Sequence, residues 1–115
     1  MYTYFMQKGI KSEFLKLQNS LVEIGLSEKE AGVYIALLSL GRATVSAISR
    51  RANINRTTGY DILDSLSSKG LVSISGKEPK QEYSAESPEN LGKFITEDIK
   101  KKHEHLKKTE TLIPE

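Results

Sequence analysis

The chain contains no cysteine, so disulfide bonds and cysteine-ligated zinc sites are excluded, and a reducing compartment is compatible with the lack. No apolar run is long enough to span a bilayer, and the start, MYTYFMQKG, has no basic segment leading into an extended apolar core. A cytoplasmic protein with no signal peptide and no membrane partner is expected. Histidine is scarce: His103 and His105 stand two apart on a helical stretch and splay by roughly 200°, so they cannot share a metal as a pair spaced by four can. No glycine-rich phosphate loop follows a strand, and the serines have no convincing base partner. The expectation is therefore no catalytic residue, no metal and no cofactor. The 115 residues make one small domain, able to bury roughly 65% of its unfolded surface, with no length for a separate catalytic unit.

What is present is an uneven distribution of charge. The formal net charge is only +2, too modest by itself to argue for a nucleic-acid partner. From Met1 to Gly41 four lysines balance four glutamates, whereas from Arg42 to Lys80 seven basic residues face three acidic ones. From Gln81 onward eight acidic residues outnumber six lysines. The positive excess is confined to the middle of the chain, and such clustering is what a phosphate-binding face requires.

That middle stretch, ATVSAISRRANINRTTGYDILDSLSSKG from Ala43 to Gly70, reads as two short helices with a tight break. Thr44 caps the first, with Val45, Ile48 and Ala52 inward, Ser46 and Arg50 outward and Arg51 on the flank. Asn53, Ile54 and Asn55 form the break, since asparagine tolerates unusual backbone angles and caps helices. Ile54 is expected to tuck into the core. The second helix places Gly59, Ile62, Leu63 and Leu66 on one stripe and Thr57, Tyr60, Asp61 and Asp64 opposite, with Arg56 at its start. Lys69 offers a cation to its end before Gly70 stops it. A helix whose first turn carries Asn, Arg, Thr and Thr has donors for phosphates and base edges.

The flanks supply the rest of a domain. An N-terminal arm over residues 1–11, with Tyr2, Tyr4 and Phe5 either packed on a neighbour or disordered, precedes a helix from Ser12 to Ile24 stopped by Gly25. Ser27 and Glu30 have capping-box spacing and start a central helix ending at Gly41, apolar along Ala31, Tyr34, Ile35 and Leu38 and again along Val33, Leu37 and Leu40. After Gly70, LVSIS alternates Val72 and Ile74 with serines, GKEPK turns, and QEYSA sets Tyr83 and Ala85 inward. The result is a hairpin with Lys77 and Lys80 at its tip, which must lean on the helices to be stable. Ser87 caps a final helix with Pro88 in its first turn, and Ile99, Leu106 and Ile113 repeat every seven residues. The fold class expected is mainly α with a small β-hairpin (α+β): a winged helix-turn-helix over 12–87 with flanking terminal helices, the last over 88–115.

The pieces GLSEKEAGVYIALLSLG, NRTTGYDILDSLSSKGLV and EYSAESPENL, in this order and spacing over Leu21 to Leu91, resemble the N-terminal domain of the TrmB family of prokaryotic transcriptional regulators. The resemblance implies a winged helix that binds operator DNA as a dimer. Longer members add a C-terminal domain that senses sugars; this sequence ends at LIPE, so sugar sensing is not carried over, the effector stays unknown, and the chain is either a stand-alone regulator or part of a longer one. Gly59 stands where an apolar side chain is usual.

Residues and resemblance together predict a homodimeric regulator of double-stranded DNA with helix 55–69 in the major groove and wing 76–80 near the backbone or minor groove. Arg56 is expected to contact guanine or a phosphate bidentately. Asn55, Thr57 and Thr58 join it, Tyr60 meets backbone or base, and Asp61 accepts from cytosine or orients Arg56. Thr44, Arg50, Arg51, Lys77 and Lys80 are the expected phosphate clamps. Phe14, Leu17, Leu21, Ile95, Ile99, Leu106 and Ile113 are the expected dimer contacts. A protein-interaction winged helix with an incidental basic face is the alternative. Gly59→Ala is expected to stabilise the fold unless neighbouring helices fill the space.

Overall fold

The computed structural model describes residues 2–77 and 79–114, with side chains from Glu13 onward. Seven elements follow in order: α1 (Tyr2–Glu23), α2 (Glu28–Leu40), α3 (Val45–Ala52), α4 (Arg56–Ser68), β1 (Val72–Ser75), β2 (Glu82–Ala85) and α5 (Glu89–Leu112). This is a winged helix with an added helix at each end. The stretch read as an arm over 1–11 is wound into α1 from Tyr2, while the packing expected of Tyr2, Tyr4 and Phe5 lies outside the described residues.

Local signals set the boundaries. Glu30 N–H donates to Ser27 Oγ at 3.1 Å while Ser27 N–H donates to Glu30 Oε1 at 3.0 Å, a complete capping box that starts α2. Gly25 closes α1 at φ 119°, where its N–H reaches Val22 O and the Leu26 N–H reaches Leu21 O. At α5 the helix begins one residue later than expected, with Pro88 as the cap position, although the Glu89 N–H still lies 3.4 Å from Ser87 Oγ.

Helix α2 is the centre of the core. Ala31, Val33, Tyr34 and Leu37 are buried on it, in one cluster with Ile48 of α3, Leu63 and Leu66 of α4, and Leu71. The outer ends of its two apolar stripes, Leu38 and Leu40, are exposed, because neighbouring helices cover only its inner side.

The hairpin pairs Val72 with Ala85 and Ile74 with Tyr83, antiparallel. On the far side of β2, Ala43 exchanges two backbone hydrogen bonds with Tyr83, at 3.0 and 2.8 Å. A one-residue bridge has no periodicity for sequence reading to find. It anchors the wing to the start of α3; Tyr83 is buried, while Ile74, its partner on β1, is 40% exposed. Among the described residues no helix is long and apolar enough to cross a membrane.

Candidate nucleic-acid interface

The break between α3 and α4 is made by asparagine chemistry. Asn53 adopts the left-handed conformation (φ 57°, ψ 47°), the one described non-glycine residue at positive φ, and its N–H donates to Arg50 O. Two residues later Asn55 accepts from the Thr58 N–H at 2.8 Å and so caps α4. Thr44 caps α3 in the same way, accepting from the Ala47 N–H at 3.3 Å.

The two helices cross at Gly59. A Cβ built there would overlap Ser49 Oγ and lie 3.4 Å from both Ser49 Cβ and Val45 Cγ2. The space is therefore filled, which is the condition under which Gly59→Ala is not expected to stabilise the fold. Ser49, 3% exposed, has no hydrogen-bond partner for its hydroxyl among the described residues and was not singled out by the sequence. Its one signal was the glycine opposite, which implied a close neighbour without naming it.

With Gly59, Ile62, Leu63 and Leu66 turned inward, α4 leaves Arg56, Thr57, Asp61 and Asp64 exposed and Thr58 and Tyr60 half-buried. The Arg56 guanidinium lies 5.7 Å from the Tyr60 ring centroid, and Nη2 is 3.4 Å from Tyr60 Oη. Tyr60, not Asp61, is therefore its neighbour; no ion pair joins Arg56 to Asp61 among the described residues. Arg50 and Arg51 are exposed at the end of α3, and Lys77 and Lys80 are exposed in the wing turn, which the Lys80 N–H closes by donating to Lys77 O at 2.8 Å. A small polar cleft joins α3, α4 and the wing, lined by Thr44, Ser46, Arg56, Tyr60, Pro79 and Gln81 among others. Ser46 and Gln81 were absent from the expected site because nothing local marks them.

At the other end of α4, Lys69 does not simply lie at the helix terminus as a loose cation. Its ammonium pairs with Glu30 Oε2 and sits 5.8 Å from the Phe94 ring centroid, while Ser65 Oγ donates to the same Glu30 oxygen at 2.7 Å. Burial pushes the Glu30 carboxyl up, but the bonds from Lys69, the Ser27 N–H and Ser65, with the ammonium's charge, hold it below its ordinary value. Glu30 is 8% exposed and fully engaged.

Of the expected dimer residues, Leu21 is 3% exposed and belongs to the subunit's own core, so it is withdrawn from that set. Ile95 is half-buried, and Phe14, Leu17, Ile99, Leu106 and Ile113 are exposed. His103 and His105 are exposed on α5, and no group of three or more potential ligands could hold a metal among the described residues.

The family described as sugar-specific transcriptional regulator TrmB matches residues 21–89, more than half of the chain. The chain belongs to the TrmB family. A relative of the TrmB-family chain is the HTH-type sugar sensing transcriptional regulator TrmBL1 of Pyrococcus furiosus, 33% identical over 93 residues, which cover 81% of this chain and 27% of that protein. The chain thus spans about a quarter of that relative's length. Among solved structures, TrmBL2, an archaeal chromatin protein reported to show a novel mode of DNA binding, superposes with a TM-score of 0.73 at 25% identity, over 86% of this chain and 40% of that one. A possible transcriptional regulator from Methanosarcina mazei Go1 shares the fold, with a TM-score of 0.62 at 12% identity, over 84% of this chain and 88% of its own.

Proposed function

We propose that this TrmB-family chain is a DNA-binding transcription regulator, not an enzyme, in which α4 enters the major groove of double-stranded DNA and the wing approaches the adjacent backbone or minor groove. The observation that carries this reading is the sidedness of the helix-turn-helix. The apolar stripe of α4 is turned inward, and Arg56, Thr57 and Asp61 of its first two turns stand exposed. Arg56 lines a cleft shared with the start of α3 and the wing, whereas Arg51 at the end of α3 lies along the groove against α1 and α2. Asn55, Arg56, Thr57, Thr58, Tyr60 and Asp61 form the reading head, with Thr44, Arg50, Arg51, Lys77 and Lys80 along the flanking phosphates. Asp64, a turn deeper and also exposed, repels phosphates and limits contact to the first half of α4.

The same reading makes the protein a homodimer. Helix α5 packs on the subunit only through its first half, at Leu91 and Phe94, and carries Ile99 and Leu106 on its exposed surface and Ile113 just beyond its end. Phe14 and Leu17 add apolar surface on α1, beside a groove of about 580 Å³. Two helices left with apolar surface are what a symmetric partner covers.

Duplex affinity measured across a salt series, with sequences selected from a random pool, tests the reading. A steep loss of affinity with salt and a preferred, palindromic site are expected. A weak, flat response would sink DNA binding and turn the apolar terminal helices into a docking surface for another protein. Light scattering showing a monomer at micromolar concentration would remove the dimer.

A further inference from the structure

Arg56 is turned along α4 toward the wing and stacked on Tyr60, and both line the cleft between the start of α3, the start of α4 and the wing. The cleft holds about 110 Å³. Sites that enclose a small metabolite run to ~300–1,000 Å³, so this one takes a group the size of a single phosphate. Among the described residues no carboxylate lines it, and Arg56 is its one cation. Thr44 Oγ1 is already engaged by the Ala47 N–H, and Gln81 Oε1 accepts from Tyr83 Oη at 3.5 Å. The donors of the cleft are the Arg56 fork, the Gln81 amide nitrogen, the Ser46 hydroxyl and the O–H groups of Thr44 and Tyr60, whose oxygens accept bonds without using up their hydrogens.

Position supplies the rest of the argument. When α4 occupies a major groove and the wing approaches the neighbouring minor groove, the phosphodiester strand dividing the two grooves has to pass between helix and wing. That is where the cleft lies.

We propose that the cleft seats one phosphate of that strand, with Arg56 as its cation, Tyr60 as the residue that holds Arg56 in place, and Ser46 and Gln81 as neutral donors. The inference rests on the DNA-binding reading above and sharpens it: Arg56 grips backbone and does not read bases. A guanidinium already laid on an aromatic ring loses less freedom when the phosphate arrives. Base readout then falls to Thr57 and Asp61, one helical turn apart and both exposed.

The test is binding of the full chain to a duplex carrying its selected sequence and to a scrambled duplex, each across a salt series. Arg56→Ala is expected to weaken binding about tenfold on both duplexes and to lower the log–log salt slope by about 1. Arg56→Lys, which keeps the charge and loses the fork, is expected to keep the slope and lose affinity equally on both. Gln81→Ala gives a smaller, equally uniform loss, whereas Thr57→Ala narrows the ratio between the two duplexes.

An Arg56→Ala protein that loses only the preferred sequence, with its slope intact, overturns the proposal and makes Arg56 a base reader. A steep wild-type slope that survives Arg56→Ala unchanged sinks the phosphate seat alone. A wild-type chain whose binding ignores salt sinks the DNA-binding reading and the seat with it.

Discussion

The two ends of α4 are built on opposite principles. At the C-terminal end side chains reach across to other elements of the subunit: Ser65 and Lys69 converge on Glu30, Phe94 covers the ammonium, and Asn90 Nδ2 donates to Gly70 O at 2.9 Å. At the N-terminal end the protein supplies one cap, from Asn55, and one long contact, from Arg56 to Tyr60, and Thr57 and Asp61 stand exposed. The contrast shows where the fold is held and where it is offered. A helix that must present donors to a ligand cannot satisfy them internally, so its stability has to come from the opposite end and from its buried stripe.

The largest effect that separates the two ends is expected at Glu30. Glu30→Ala removes the capping box and leaves Ser65 and Lys69 without their acceptor, costing about 2–3 kcal/mol, or roughly 10 °C in Tm. Duplex affinity of the folded variant stays near wild type, since no DNA-facing group is touched. Its pH dependence has a fixed sign. The folded carboxyl titrates below its unfolded value, so its contribution is complete above that unfolded value and disappears as pH falls through the folded one. The Tm gap between wild type and Glu30→Ala therefore narrows on acidification below ~4.3. A gap that stays constant into acid would show that the carboxylate's charge contributes nothing.

Gly59 lies midway along the contrast, where α4 touches α3. Gly59→Ala forces the Ser49 hydroxyl aside in a site with no partner to receive it, costing about 1–2 kcal/mol. Ser49→Ala removes the overlapping atom, and in that background Gly59→Ala becomes neutral or stabilising, because alanine favours a helix interior over glycine by ~1 kcal/mol. Calorimetric melting of the four proteins measures the coupling, and simple additivity would break the account. Asn55→Ala at the open end is expected to cost about 1 kcal/mol, the usual value of a lost N-cap. Hydrogen exchange would then report fraying confined to the first turn of α4.

Most of this frame was legible in the sequence because its signals are local. The cap of α2 at Ser27 and Glu30, the caps at Thr44 and Asn55, the left-handed Asn53 and the stops at Gly25 and Gly70 each act within about one helical turn, and the structure shows them all. The same holds for the inward stripe of α4. What escaped is contact between distant residues: Glu30 meets Ser65 and Lys69 from 35 and 39 positions away, Ser49 meets Gly59 across a helix crossing, and Ala43 meets Tyr83 across one bridge. Periodicity places a side chain on a face but not its partner on the facing element. That is why Lys69 read as a helix-end cation and Leu21 as a dimer contact, although Glu30 and the subunit's own core claim them.

The smallest effect is expected at Tyr60, and it tests the open end most directly. Its hydroxyl meets Arg56 Nη2 at 3.4 Å, near the limit of a hydrogen bond and in an exposed setting, so Tyr60→Phe should change stability by no more than ~0.5 kcal/mol. The ring remains under the guanidinium, so Arg56 keeps its orientation and the salt slope is unchanged. If the hydroxyl is left for DNA, affinity falls a few-fold on every duplex while Tm stays within about 2 °C. A Tm loss as large as that of Asn55→Ala, with affinity untouched, would mean that the Arg56–Tyr60 pair holds the helix together. The N-terminal end of α4 would then be a second structural anchor, and the contrast between its two ends would fail.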